Sequence, residues 1–411
     1  MKLFFLFLII SSSCFAKVSL FDSFQAALKQ EPIKKSLAQI KQKEYQYKQL
    51  RGAALPQVAL NANYTRQDAS GVQSNFFRES QRSVSVGVTQ RLFSGFQEFS
   101  TLQKQENLLS QSKIDLVLTR SELLNEVAKS YVQVLYQIDE VELAKEIHTL
   151  SQKRVEFLQK RVKTGRSRQG ELVSAQALVA SNLTALEAAR ANLVSSRQYF
   201  SFLTGFDANI ELKRMDAKLK LESLENYLTK VEESPSLKIQ RLNLENAHED
   251  IKIAKGDHWP TVDLKGEYFV DRESFNNNGS DWAVTVSLTL PLFESGKTYS
   301  NVKQASQARL VAESDARYLK QGLDRDIRIL YNSITSANQQ IDSFEKAVSL
   351  NKQNYNIQLK DYGLSLVNNL EVLQALSQYT ESRSRLNNLV ANRNQDYYRL
   401  VTLLGDSFEN N

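Results

Sequence analysis

The segment Glu-Leu-Val-Ser-Ala at residues 171–175 returns 200 residues later as Glu-Val-Leu-Gln-Ala at 371–375. The matches continue outward from this pair, since Phe-Leu-Thr-Gly at 202–205 returns as Thr-Leu-Leu-Gly at 402–405. A period of about 200 residues is far longer than the roughly 20–50 residues of a solenoid repeat. The sequence therefore predicts two tandem copies of a domain-sized unit.

The repeat divides the chain into four predicted segments. Residues 1–16 form a signal peptide, 17–205 the first repeat, 206–232 a connector or equatorial segment, and 233–411 the second repeat. Each repeat is predicted to contain, in order, a helix, two strands and two long helices.

The N-terminal segment combines a charged start, a short apolar run and a small residue, Ala16, before the expected cleavage point. The apolar run is too short to cross a bilayer as a helix. A competing interpretation makes Cys14 a lipid-modified N-terminus, although Ser11 replaces the leucine expected three residues earlier. If cleavage follows Ala16, the mature chain has no cysteine and therefore no disulfide.

Long helices are predicted where proline is missing, because proline breaks helices. The chain has only 5 prolines, and none lies within 57–234 or 292–411. In the second repeat, apolar residues alternate steps of four and three from Leu323 to Val348, the pattern of a coiled-coil seam. A seven-residue row in the first repeat includes Val127, Val134 and Val141 and places His148 on the seam. Helices are predicted over about 33–54, 97–163, 169–204, 236–257 and 366–404.

Four segments alternate apolar and polar residues and predict strands. They run over residues 58–65, 83–92, 262–270 and 282–292, and Gln90 is the one polar break on the apolar face of the second. One apolar and one polar face is typical of a membrane strand with lipid on one side and water on the other. A strand in a soluble sandwich shows the same alternation. Four strands cannot close a barrel, however, and an open sheet edge cannot sit in lipid, so several chains must contribute strands.

The loops between the paired strands, 66–81 and 271–281, are polar, and we expect both at one exposed end of the sheet. Four aromatic residues stand near strand ends: Tyr64, Trp259, Tyr268 and Trp282. Such residues mark membrane interfaces. Aromatic residues also end strands in soluble proteins, so both interpretations stay open.

The charged residues are mixed in sign along the helices, with 52 Lys and Arg against 46 Asp and Glu. This pattern is typical of a solvated coiled-coil surface, and no basic stripe with interleaved aromatics predicts nucleic-acid binding. After the N-terminal segment, no run of about 20 consecutive apolar residues predicts a transmembrane helix.

Catalytic, cofactor-binding and metal-binding patterns are not found in the sequence. Gly-Lys-Thr at 296–298 looks like the end of a phosphate-binding loop, but Pro291 replaces the required earlier glycine. His248 and His258 lack partners at metal-ligand spacing. We therefore predict that the protein is not an enzyme and carries no cofactor or metal.

The order and duplication of these features resemble the TolC family of outer-membrane efflux and secretion channels, over essentially the whole mature chain. Pro56 and Pro260 precede the first strand of each pair, and Leu-Phe-Ser-Gly at 92–95 and Pro-Leu-Phe-Glu-Ser-Gly at 291–296 follow the second. The resemblance implies a mostly α-helical homotrimer. In it, three chains of four strands form one 12-stranded β-barrel, continuous with a long α-helical coiled-coil tunnel across the periplasm.

The resemblance also implies a function, that of the passive exit duct of a tripartite efflux or type I secretion system. An inner-membrane pump supplies the energy, and a periplasmic adaptor joins the pump to the helical tips. The alternative is a periplasmic coiled-coil scaffold without a pore, which has no need of four amphipathic strands. The sequence does not identify the cargo, the pump or the adaptor.

In the family, acidic residues line a periplasmic aperture just beyond the turns between the long helices. The matching positions are Glu171, Ser174, Glu371 and Gln374. Three copies of Glu371 would form a carboxylate ring that attracts cations, weakened because Gln374 replaces a second acid. A glutamate at a helix start also interacts favourably with the helix dipole, which is the competing interpretation.

The resemblance places the adaptor contacts at the turns themselves. These tips are Thr164, Gly165 and Arg166 in the first repeat and Gly363, Leu364 and Ser365 in the second. Glycine permits the tight turn between helices. An apolar residue usually follows the glycine in the family, so Leu364 fits the pattern and Arg166 departs from it.

Overall fold

The structure is a computed structural model that describes residues 17–66, 80–215, 219, 221–272 and 281–405. The predicted signal peptide, with Cys14 and Ala16, lies outside the described residues. So do residues 67–79 and 273–280 of the two predicted polar loops.

Helices and strands follow the same order in the two halves of the chain. The first half contains α1 (Leu20–Ala27), α2 (Glu31–Ala53), β1 (Gln57–Arg66), β2 (Ser80–Ser94), α3 (Gln97–Lys163) and α4 (Gln169–Thr204). The second contains α5 (Leu224–Lys230), a 3-10 turn (Val231–Glu233), α6 (Pro235–Gly256), β3 (Thr261–Arg272), β4 (Trp282–Thr289), α7 (Lys297–Gly363) and α8 (Asn369–Leu403). The predicted long helices and four strands are confirmed within a few residues at most ends.

Two element boundaries differ from the prediction for local reasons. Helix α8 begins three residues late because the Asn368 side chain caps it, accepting hydrogen bonds from the backbone N–H groups of Leu370 and Glu371. Strand β4 ends at Thr289, and the following Pro291 has no N–H to donate to a sheet.

Gln90 is the polar residue on the apolar face of β2. Its side-chain amide donates hydrogen bonds to two backbone carbonyl oxygens.

The chain folds into two compact units. The described residues within 17–34, 117–234 and 322–405 form the first, and those within 35–116 and 235–321 form the second. Each unit therefore draws on both sequence repeats. The segment boundaries inferred from the repeat stay a prediction.

The second unit holds one antiparallel sheet with the strand order β1-β2-β3-β4. Leu60 pairs with Val86, Val86 with Tyr268 and Tyr268 with Trp282, so one apolar row crosses all four strands. Leu60 is 70% exposed and Trp282 is 64% exposed. Among the residues that the structure describes, none covers this broad apolar face of the sheet.

The opposite face of the sheet is polar and more closely packed. Gly87 is buried there, and a Cβ atom on it would lie 3.1 Å from Asn61 Nδ2 and 4.0 Å from Glu267 Cγ. Arg91 Nε donates to Asp263 Oδ1 at 3.0 Å on the same face. The alternation predicted from the sequence thus separates an apolar from a polar surface.

The first unit is built around buried apolar rows of the long helices. The seam predicted in the second repeat is confirmed, and its buried members are Leu323, Ile327, Leu330, Ile334, Ala337, Ile341 and Val348. In the first repeat the prediction is confirmed at Val127 and Val134, which are buried. Val141 and His148 are half-buried, while Leu143 and Ile147 are buried. A strict seven-residue row drifts about 20° per heptad around a straight helix. The buried positions therefore shift from this row to neighbouring residues.

Helix α4 contains one stretch that is long and apolar enough to cross a membrane by length and composition, and 17% of that stretch is buried. Core helices of soluble proteins pass the same test. This helix alone therefore assigns no membrane span.

Candidate functional site at the helix turns

The turns between the long helices are built alike in the two repeats. At the end of α3, Gly165 N–H donates to Val162 O at 3.0 Å and Arg166 N–H donates to Arg161 O at 2.8 Å. At the end of α7, the N–H groups of residues 365 and 366 make the same two bonds, at 3.1 and 2.9 Å. Both turns are therefore Schellman motifs, which satisfy the last carbonyl groups of a helix.

The left-handed residue of the second turn is not the predicted glycine. Gly165 has φ +71° in the first turn, but its counterpart is Ser365, with φ +64°, while Gly363 still belongs to α7. A left-handed conformation strains a residue that carries a Cβ atom. Ser365 Oγ accepts a hydrogen bond from Arg161 at 2.9 Å, which helps to hold this conformation.

Arg161 joins the two turns. Its guanidinium donates to the carbonyl oxygens of Tyr362 and Gly363, both at 3.0 Å, and to Ser365 Oγ. On its own side it donates to Ser167 Oγ at 3.1 Å and to Arg166 O at 3.2 Å. The planar fork of arginine suits several acceptors at once. One side chain thus fastens the end of α3 to the end of α7.

Tyr362 makes a second link between the repeats. Its hydroxyl donates to Glu171 Oε2 at 2.8 Å and lies 3.2 Å from Ser167 Oγ, and its ring lies under the Arg161 guanidinium at 5.0 Å. Burial raises the pKa of Tyr362, the bond to Ser167 opposes that shift, and the neighbouring Glu171 adds to it. The hydroxyl therefore keeps its proton at neutral pH and remains a donor to Glu171.

The two predicted aperture residues of the second repeat are exposed. Glu371 lies in the first turn of α8, where its Oε1 accepts from the Asn368 N–H at 3.5 Å as part of a capping box. Gln374 lies one turn later. The helix-start role weighed for Glu371 is thus present, while a ring of three carboxylates stays a prediction. The predicted contact residues Thr164, Arg166 and Leu364 are also exposed.

Ser174, the remaining predicted aperture residue, lines a pocket of about 340 Å³ that contains a buried cation. We call it the Arg154 pocket; its lining comprises Arg154 of α3, Ser174, Ala175, Ala177, Leu178 and Ser181 of α4, and Asn369 and Leu373 of α8. Arg154 is 3% exposed and donates to Asn369 O at 3.1 Å. Burial lowers the pKa of Arg154, and Tyr355, Tyr362 and Glu171 oppose that shift.

Sequence reasoning missed three residues of this region, Arg154, Arg161 and Tyr362. Arg154 occupies a core position, four residues before the buried Leu158, where an apolar residue is the usual choice. That mismatch was a usable signal. The role of Arg161 was missed because a basic residue in the last turn of a helix is ordinarily explained by its favourable interaction with the helix dipole.

The polar groups at the turns are suited to fastening helices rather than to a reaction. Over the described ranges, no group of three or more His, Cys, Asp or Glu residues could hold a metal ion. The contacts are hydrogen bonds between two helix pairs, and they are exposed or partly buried.

Comparison with known proteins identifies the family. A family model described as outer membrane efflux protein matches residues 24–205 and 229–406. Outer membrane protein TolC of Vibrio cholerae is 25% identical over 352 residues, which cover 82% of this chain and 79% of that protein. Outer membrane protein TolC of Escherichia coli K12 is 24% identical over 391 residues, covering 89% of this chain and 77% of that protein.

Solved structures share the fold. The outer membrane protein VceC from Vibrio cholerae superimposes with a TM-score of 0.81 at 19% identity, covering 95% of this chain and 97% of that one. The CmeC outer membrane channel of Campylobacter jejuni gives a TM-score of 0.83 at 17% identity, covering 94% of this chain and 85% of that one.

Proposed function

The chain belongs to the outer membrane efflux protein family, and we propose that three copies form one passive channel across the outer membrane, with their helix pairs extending into the periplasm. The observation that carries this proposal is the sheet of the second unit. It has an uncovered apolar face, a polar face and two edges, β1 and β4, that no strand of the described chain covers.

Open sheet edges explain why one chain is not enough. A membrane offers no water to satisfy the N–H and C=O groups along β1 and β4, so these groups need partners on another chain. Pairing β4 of one copy with β1 of the next closes a barrel, and three copies of four strands give twelve. The apolar row through Leu60 and Trp282 then faces lipid, and the polar face with Asn61 and Glu267 lines the lumen.

Aromatic residues at both ends of the sheet support this placement. At the end of the sheet where the strands join the helices, the exposed ring of Phe96 lies near two other aromatic rings. The distances between ring centroids are 5.0 Å to Phe93 and 6.4 Å to Trp259. Near the loop end, Tyr268 and Trp282 pair across β3 and β4, and both are exposed. Aromatic belts of this kind lie at the two interfaces of a membrane.

The helix turns are the proposed contact with a periplasmic adaptor, and the adaptor would join the channel to an inner-membrane pump that supplies the energy. Leu364 is 70% exposed and Leu366 is 71% exposed, so the second turn offers an apolar contact. The first turn offers Arg166 instead, beside Thr164 and Gly165. Such a duct serves tripartite efflux or type I secretion alike, and the chain itself needs no catalytic group.

The proposal is tested by purifying the full-length protein in detergent and inserting it into planar lipid bilayers. We expect a trimer that migrates on a gel as a high-mass band before heating and as the single chain after heating, and discrete conductance steps in the bilayer. A protein that stays water-soluble, lacks heat-modifiable migration and gives no conductance would instead be the periplasmic scaffold without a pore.

Glu371→Lys is expected to change the ion selectivity of this channel. Three copies of Glu371 near one constriction attract cations, and reversing all three charges should lower the cation-to-anion permeability ratio by roughly an order of magnitude. Reversal potentials under a salt gradient measure the ratio. Glu371→Gln should have a smaller effect in the same direction.

Glu171→Lys is the matched comparison for Glu371→Lys, because the two residues occupy equivalent places in the repeats. The assignment of the narrowest ring to Glu371 is wrong if Glu171→Lys shifts the selectivity and Glu371→Lys leaves it unchanged.

Tyr362→Phe is expected to favour an open aperture. The change removes the hydroxyl that donates to Glu171 at 2.8 Å and keeps the buried ring. A hydrogen bond to a charged group contributes about 1.5 kcal/mol, so the open form should gain roughly tenfold in relative population. Single-channel recording would show a larger open fraction. Tyr318→Phe, at an exposed position of α7, should behave as the unchanged protein. An equal response from both variants would show that the hydrogen bond between Tyr362 and Glu171 does not hold the aperture closed.

A further inference from the structure

The Arg154 pocket holds a cation whose hydrogen-bonding capacity the protein does not use. Arg154 is 3% exposed, and within the described part of the chain its Nε and NH1 atoms have no hydrogen-bond partner. Only one of its terminal nitrogens is paired, with Asn369 O at 3.1 Å. Buried donors without acceptors are costly, and a buried charge without a partner is more costly still.

No carboxylate among the described residues hydrogen bonds to Arg154. Within the described ranges, Glu171 is the carboxylate that acts on Arg154 electrostatically, and Glu171 already accepts a hydrogen bond from Tyr362. The guanidinium remains protonated at every physiological pH. Arg154 therefore keeps a positive charge with two buried, unpaired donors and no carboxylate hydrogen bonded to it.

The remaining lining of the pocket restricts what could neutralise that charge. Its walls are mainly apolar, formed by Ala175, Ala177, Leu178 and Leu373, and Ser174 and Ser181 add hydroxyl groups. Asn369 Oδ1 has no partner in the described chain either, and a turn of the amide would present its N–H groups to an acceptor. A volume of about 340 Å³ suits a small organic molecule and is far larger than one ion requires.

We infer that the Arg154 pocket binds an organic monoanion with a compact apolar body, such as an aromatic carboxylate. The carboxylate pairs with the free donors of Arg154, a pairing for which the guanidinium fork is well shaped. The apolar body lies against the alanine and leucine walls. Because α4 and α8 both line the pocket, the bound molecule contacts both helix pairs.

Inorganic anions and neutral molecules fit the pocket less well. A halide would pair with the charged guanidinium but leave most of the apolar volume of the pocket empty. A neutral ring would fill the volume but leave the guanidinium unpaired. Both charge and apolar bulk are therefore required, and this requirement separates the three ligand types experimentally.

The test is calorimetric titration of the detergent-solubilised full-length protein with 4-bromobenzoate. The expected dissociation constant is on the order of 0.1–1 mM for a ligand of this size. The neutral analogue 4-bromobenzamide and inorganic bromide should each bind at least about tenfold more weakly. In crystals soaked with 4-bromobenzoate, anomalous scattering should place the bromine atom in the pocket.

Two variants connect the binding to this pocket. Arg154→Gln removes the charge and should weaken 4-bromobenzoate binding at least about tenfold, whereas Lys153→Gln, at the adjacent exposed position, should not change it. Ala177→Phe fills the pocket from the helix surface and leaves Arg154 in place, so it should also abolish binding even if Arg154→Gln fails to fold.

The inference is overturned if 4-bromobenzoate binds Arg154→Gln and the unchanged protein equally. It is also overturned if bromide or the amide binds as tightly as the carboxylate. All lining residues belong to the first unit, so a negative result leaves the proposed channel function untouched.

Discussion

Val286→Arg is expected to remove most of the assembled trimer from the membrane. Val286 is 64% exposed on the apolar face and pairs with Leu264 on β3. An arginine on the lipid face near the middle of the bilayer costs about 2–4 kcal/mol per copy, and a trimer incurs that cost three times. The measurement is the amount of heat-modifiable trimer in membrane extracts.

The control for Val286→Arg belongs on the polar face of the same strand. Thr285 lies there but pairs with Lys265, so a new arginine would meet a like charge. Ser287 pairs with Asp263 instead, which makes Ser287→Arg the cleaner control, and it should leave trimer levels close to normal. Equal loss from Val286→Arg and Ser287→Arg would show that the assignment of the two faces is wrong.

The helices and strands were predictable because each depends on a local periodic pattern. Alternation from Trp282 to Leu288 has the same period as a strand, and steps of three and four from Leu323 to Val348 have that of a helix seam. The first-repeat seam was predicted less well because Val141 and His148 continue a strict seven-residue row. The helix itself turns at 3.6 residues, and small angular errors accumulate along it.

The candidate site was predicted only where it repeats. Glu171 and Glu371 were named because the family resemblance points to equivalent positions in the two repeats, whereas Arg161 is matched by Asp361 and Arg154 by Asn354. Contacts between the two repeats need different partners on the two sides, so they break the internal symmetry. A search for equivalent residues therefore misses the side chains that join one repeat to the other.

The search for a glycine, rather than the symmetry, misled the assignment of the second turn. Gly363 was the only nearby glycine, yet the Schellman geometry falls on Ser365, 200 residues after Gly165. The backbone kept the repeat period while the residue type did not. The hydrogen bond from Arg161 to Ser365 Oγ shows how a side chain from the other repeat stabilises a position where glycine would otherwise be preferred.

Arg161→Gln is expected to release the two helix turns from each other. The change removes the hydrogen bonds from the guanidinium to residues 362, 363 and 365 across the repeats and to residues 166 and 167 within the first. Several of these bonds are exposed to solvent, so we expect a combined loss of about 3 kcal/mol rather than the sum of five buried bonds. That loss corresponds to a shift of roughly 100-fold towards the open form of the channel.

Single-channel recording of Arg161→Gln should therefore show a channel that is open for most of the recording. Lys160→Gln removes the same charge from the adjacent exposed residue and should leave gating unchanged. Arg161→Lys separates charge from geometry, because lysine retains the cation but cannot direct donors to both turns at once. An intermediate open fraction for Arg161→Lys supports the fastening role, whereas gating like that of the unchanged protein would mean that charge alone holds the turns together.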